Sequence, residues 1–224
     1  GKMTIFKGQA GINKAGNDNE SFSVPLFVFV DEKNRVYVAD HLNDRVQIYD
    51  ASGKFLKSIA AVRPTYVTVL NKSKEIVIGS SGVEVTIDKN TKKSDVPAKL
   101  LFCGTFDKPE KGDEILLPKP FEQSVGGYLY NGDGVKVSMS VVDDLGDVRV
   151  WLTTEKTKES KLNAGKVGNS NIEIYKLKNK KLELVKDFNQ EAKKDLVYDG
   201  KFQYGRKRIY VNPKTGNLFH ATTM

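Results

Sequence analysis

Between residues 25 and 59 the apolar and polar positions fall into four short runs, at 26–30 (LFVFV), 36–40 (VYVAD), 46–50 (VQIYD) and 55–59 (FLKSI). Branched and aromatic residues recur with a period of two. The gaps are rich in Asp, Asn, Ser and Gly, whose side chains and φ freedom suit turns, so the stretch predicts a four-stranded antiparallel meander. A lone meander with one apolar face is not stable in water, and the pattern therefore predicts one unit of a larger array.

The pattern returns downstream in altered copies. Strands are expected at 66–70 (YVTVL), 76–80 (IVIGS), 83–87 (VEVTI) and 100–104 (LLFCG), the last after a polar connection at 88–99. A third set is expected at 136–142, 148–154, 171–176 and 182–188, and a last pair at 207–211 and 218–222. The second strands of the four sets align as VYVAD, IVIGS, VWLTT and LFHAT, each ending in a small and then a polar residue. Their spacings fit a period near 40 residues once two insertions, 105–135 and 155–170, are set aside. Before the first set, residues 3–7 (MTIFK) read as a single strand and 8–21 as a polar linker.

The first set resembles an NHL repeat, the blade of a β-propeller, through Pro25, VYVAD (36–40), Asn43, RVQIYD (45–50) and GKF (53–55). The resemblance implies an all-β fold, a β-propeller of four-stranded antiparallel blades with about three and a half blades in this chain. Residues 1–24 form the N-terminal strand and linker, and 25–224 a partial propeller with blades at 25–59, 64–104, 136–188 and 207–224. Because the fourth blade stops after two strands, Met224 is not expected to be a natural domain end; further blades or a partner chain would complete the ring. In such blades the counterparts of Asp40, Asn43 and Arg45 brace the turn between the second and third strands, where a carboxylate and an amide satisfy backbone donors and a guanidinium. Contact with a ligand is the other reading of these residues.

Composition narrows the function classes. Hydrophobic content of 39% with 29% charged residues describes a soluble globular protein, and no apolar run reaches the length of a membrane span. Cys103 is the single cysteine, which excludes a disulfide within the chain and a cysteine-based zinc site. The net charge is +8, but only six of the 36 basic residues are arginine and the lysines are scattered. Nucleic-acid sites favour clustered Arg with stacking aromatics, so the lysines read as a solvated surface rather than an RNA face.

Signs of catalysis are sparse. No nucleophile elbow, P-loop or dinucleotide fingerprint is present. With two histidines no multi-histidine metal site can form. His220, inside a β run, reads as a buried, hydrogen-bonded side chain, whereas His41, in a turn, reads as exposed. Asp143, Asp144 and Asp147 lack the ligand spacing of a calcium loop and read as a turn. Cys103 has no histidine near it in sequence. No cofactor is expected.

Function is therefore read as non-enzymatic binding of a protein or glycan through one propeller face. The alternatives are a lyase or hydrolase using the central channel, and an RNA-binding propeller. Strand alternation would place both insertions on one face. The binding-face candidates are the aromatics Phe106, Phe121, Tyr128 and Tyr130, the lysines Lys156, Lys158, Lys161 and Lys166, and His41 with Asn43. The aromatics have a competing reading as a plug packed on the blades. The resemblance to bacterial propeller lipoproteins implies an extracytoplasmic setting, periplasmic or at the cell surface.

Overall fold

The structure, a computed structural model, describes residues 5–9, 14–81, 85–87, 90–92, 96–118, 135–143, 146–156, 170–187, 208–211 and 218–221. Side chains are described within these except at 85–92, 135–138, 153–156, 170–172 and 208–221. The chain is all-β, with three antiparallel four-stranded sheets and, among the described residues, almost no helix.

The first sheet is a meander of β1 (Pro25–Val30), β2 (Val36–Asp40), β3 (Arg45–Tyr49) and β4 (Phe55–Ala60), in that spatial order. The second begins with β5 (Pro64–Val69) and β6 (Glu75–Ser80). A separate hairpin, β7 (Val85–Ile87) and β8 (Asn90–Lys92), interrupts it before β9 (Lys99–Thr105) and β10 (Glu114–Leu116) complete the order β10-β9-β6-β5. The third is the meander β11 (Val135–Val142), β12 (Arg149–Lys156), β13 (Ser170–Lys178) and β14 (Lys181–Asp187). Last comes the pair β15 (Arg208–Val211) and β16 (Leu218–Ala221).

Three expected strands are corrected by the structure. The run at 83–87 does not supply the third strand of the second sheet: its described part, residues 85–87, pairs with β8, and 100–104, expected as the fourth strand, is the third, beside β6. The fourth strand is β10, which lies inside the expected insertion 105–135. The expected N-terminal strand at 3–7 is also absent over its described part, residues 5–7.

The first two sheets repeat one register. Pro25 faces Asp40, then Phe27 faces Ala39 and Val28 faces Val38. Pro64 faces Ser80, then Tyr66 faces Gly79 and Val67 faces Ile78. Each first strand, β1 and β5, opens on a proline, which has no N–H to donate to a ladder, and each carries a one-residue bulge just after it. The repeated small residue in the second strands also has a cause. A Cβ at Gly79 would lie 2.7 Å from Met139 Cε and 2.9 Å from Tyr66 Cβ, so glycine admits the side chain of the next sheet.

The sheets pack face to face. Tyr37, Ala39, Val46 and Ile48 of the first share one apolar cluster with Val67, Ile76, Ile78 and Cys103 of the second. Leu100, Phe102 and Ile115 of the second share another with Met139, Val141, Val150, Leu152 and Tyr175 of the third. Burying such side chains stabilises by about 1.5–3 kcal/mol each, which a single meander cannot collect on one face. The opposite face of the first sheet is covered by the N-terminal segment over β3, while Val28 and Val30 of β1 stay exposed. Asn43, Arg45, Gln47 and Tyr49 donate to the carbonyls of Gly16, Asn17, Asp18, Asn19 and Ser21. Phe6 and Phe22 meet the Tyr49 ring edge-on at 6.2 and 6.0 Å between centroids.

Candidate functional site

Antiparallel alternation gives each four-stranded sheet two ends. At one, the turn end, lie the connections between first and second and between third and fourth strands. At the other, the link end, lie the second-to-third connections and the links to the next sheet. The polar side chains with perturbed environments collect at both.

At the link end of the first sheet, β2 finishes on Asp40, whose buried carboxylate accepts from Ser23 N at 2.6 Å, Asn43 Nδ2 at 2.7 Å and Arg45 Nε at 2.8 Å. A 3-10 turn, His41–Asn43, follows, and Asp44 closes it in the left-handed region at φ 53°. The Asp40–Asn43–Arg45 set therefore braces the turn and anchors the N-terminal segment, in accord with its structural reading. His41 corrects its expectation. It is 0% exposed, packed against the entry to β5, with Nδ1 3.1 Å from the Pro64 carbonyl. Burial lowers its pKa, opposed by the bond to Pro64.

At the turn end of the first sheet, Asp31 is the organising carboxylate. Its Oδ1 accepts the amides of Lys33 and Arg35, and its Oδ2 accepts Arg35 Nε at 2.6 Å and Tyr37 OH at 3.0 Å. Burial would raise the Asp31 pKa, but the Arg35 and Tyr37 bonds outweigh it and hold the group below its ordinary value. Phe106, from the β9–β10 turn of the second sheet, packs here. Arg35 Cζ lies 3.9 Å and Lys57 Nζ 4.1 Å from its ring centroid, and Lys57 also donates to its carbonyl. Phe106 is thus a clasp between sheets.

The third sheet reaches the second in the same region. Asp143 follows β11, is buried, and accepts the amides of Lys72 and Ser73 in the β5–β6 turn. Burial alone would raise its pKa, and those amides more than compensate, leaving it lowered. This agrees with a turn role for Asp143 and extends it across sheets. Lys74 pairs with Glu32, and Lys180 with Asp113, each at 2.7 Å. Burial, then Asp113 and Glu110, raise the pKa of Glu75 nearby. Cys103 is buried, and burial followed by Glu75 pushes its thiol up to about 11, where it is a poor nucleophile.

The predicted binding-face residues are therefore not one cluster. Phe106 lies at the turn end, whereas His41 and Asn43 lie at the link end, engaged within the fold. Lys156 closes β12 at the link end, its side chain outside the described residues. Phe121, Tyr128, Tyr130, Lys158, Lys161 and Lys166 lie outside the described residues, as does the His220 side chain. Sequence reasoning missed Asp31 as a turn cap, and it missed the reach of Asp143 to the β5–β6 turn. The Asp31–Arg35 spacing, four residues across a turn, was the available signal for the first.

Among the described residues no group of three or more His, Cys, Asp or Glu side chains could hold a metal ion. No helix among them is long and apolar enough to cross a membrane. No family model matches the chain, and no curated protein matches it.

Proposed function

We propose that the three sheets are blades of an NHL-like β-propeller and that the chain is a non-enzymatic binding module, taking a protein or glycan at the link end. The observation that carries the reading is the shared register of the first two sheets, proline, bulge and small residue in the same places, with their first strands side by side. That is the geometry of a repeat whose units differ mainly in their connections.

The corrected strand order supports the link end as the binding face. The second sheet's second-to-third connection spans 81–98 and the third sheet's spans 157–169, against four residues, 41–44, in the first. Both long connections leave from the link end, and so does the link 117–134 between these two sheets. Long connections on a rigid scaffold are where recognition residues concentrate. A lysine-rich surface and the resemblance to bacterial propeller lipoproteins support a setting outside the cytoplasm.

The test replaces 82–95 and 157–169 by short Gly-Ser turns, singly and together. Folding is read by denaturation, and binding by a glycan array followed by titration of the glycans that the unaltered chain retains. The expected result is a folded double replacement that retains none of them. Retention of the same glycans by the folded double replacement would remove the link end as the binding face.

A further inference from the structure

The link between the first two sheets, residues 61–64, is clamped from both sides. From the first sheet, the Asp44 carbonyl accepts Ala61 N at 3.0 Å and its carboxylate accepts Arg63 N at 2.8 Å. From the second, Ser81 N donates to the Arg63 carbonyl at 3.2 Å, and Ser80 Oγ donates to the Val62 carbonyl. His41 supplies the remaining bond, from Nδ1 to the Pro64 carbonyl at 3.1 Å.

That last bond fixes the chemistry of the ring. A carbonyl only accepts, so Nδ1 carries the proton and Nε2 of the neutral ring is a bare lone pair. Nε2 is buried and has no hydrogen-bond partner among the described residues, and the side chain is 0% exposed. A second proton would sit on Nε2, buried and with no acceptor among the described residues. Among the described residues the charged groups that act on the ring are Arg63, which opposes a new positive charge, and Asp44, which favours it. Asp44 already pairs with Arg63, Nε to Oδ1 at 3.8 Å, and its side chain is half exposed, which weakens its compensation. The Asp40 carboxylate is held by Ser23, Asn43 and Arg45.

We infer that His41 makes the junction between the first two sheets acid-labile: the clamp on residues 61–64 holds while the ring is neutral and opens when it is protonated. The folded ring resists the proton and the opened ring does not. The clamp is therefore complete above the ordinary histidine value of about 6.5, and opening rises by up to about tenfold per pH unit below it. The inference stands on the seam itself and does not depend on what the link end binds.

Hydrogen exchange of the full chain, followed by mass spectrometry between pH 7.5 and 5 and corrected for intrinsic rates, tests it. The amides of Ala61, Arg63 and Ser81 should lose protection on acidification, with 174–178 in the third sheet as internal reference. His41→Asn keeps a donor near the place of Nδ1 but takes no proton, and should abolish the pH dependence. Equal pH dependence in the two chains overturns the proposal. Should the variant not fold, imidazole ¹⁵N spectra of the unaltered chain decide, with His220→Gln assigning the second signal. A proton on Nδ1 and a titration midpoint below the ordinary histidine value of about 6.5 supports the proposal. A proton on Nε2, or titration at about 6.5 or above, overturns it.

Discussion

The first and second sheets share a register but not a neighbourhood, and the difference separates what the repeat requires from what its surroundings allow. At the end of the second strand the first sheet has Asp40 opposite Arg45, where the second has Ser80 opposite Lys99. The first sheet must reverse in a 3-10 turn of three residues, and its orphan backbone and guanidinium groups need a buried carboxylate. The second sheet leaves by a long connection, and no such brace is demanded of Ser80. On the first strand of each sheet the contrast runs the other way. Val67 is 0% exposed beneath the first sheet, whereas Val28, its register equivalent, is 57% exposed.

The sharpest way to break this comparison is at Asp40. Asp40→Ala leaves Arg45 facing a void and frees the Asn43 and Ser23 donors. Removing one partner of a buried, hydrogen-bonded pair costs about 3–5 kcal/mol. Ser80→Ala, at the equivalent position, removes one neutral bond to the Val62 carbonyl and should cost about 1 kcal/mol. Urea denaturation of both variants checks the difference. Equal losses would show that the brace belongs to the repeat and not to the short turn.

Asp143 tests how sheets are joined at the turn end. Its carboxylate carries bonds to the Lys72 and Ser73 amides, and hydrogen bonds to charged groups are worth about 1.5–3 kcal/mol. Asp143→Asn should lose about that much at pH 7. Because the folded pKa lies below the unfolded value of about 3.9, the stabilisation is present above that value and is lost as pH falls through the folded pKa. The two stability curves should therefore converge in acid. Parallel curves down to about pH 2 would mean that the carboxylate charge contributes nothing.

Next in size is the valine pair. Val67→Ala removes two buried methyl groups and should cost about 1.5 kcal/mol, while Val28→Ala should stay within about 0.5. A comparable loss at Val28 would show that its face is covered in solution.

How much of this was legible in the sequence follows the same divide. The first and third sheets were readable because each strand alternates and each turn is short or polar. The second sheet misled at its outer half. VEVTI (83–87) alternates as well as any true third strand, whereas LLFCG (100–104) is an apolar run whose identity depends on burial from two sides. Leu100 and Phe102 enter the cluster shared with the third sheet, and Cys103 the one shared with the first. Local pattern does not encode that choice; packing does. β10 is three residues long and follows KPEKGD, which reads as turn. His41 failed for a related reason, since its partner, the Pro64 carbonyl, arrives 23 residues later from the next sheet.

The smallest expected effect concerns Phe106, the one described aromatic among the predicted binding-face residues. Its ring is held by Arg35 and Lys57, both from the first sheet, and cation–π contacts of this kind contribute about 0.5–1 kcal/mol at exposed sites. Phe106→Leu keeps apolar bulk but removes the π face, so stability should fall by about 1 kcal/mol. The Lys57 bond to the main-chain carbonyl of residue 106 survives the change. Placed at the turn end, Phe106 should also leave the binding proposed for the link end untouched. A double-mutant cycle with Lys57→Met separates the ring contact from general packing, since both single variants keep similar volume. Zero coupling would reduce Phe106 to a space-filling residue. A loss of glycan retention with stability unchanged would move the binding surface to the turn end and reverse the assignment of the two ends.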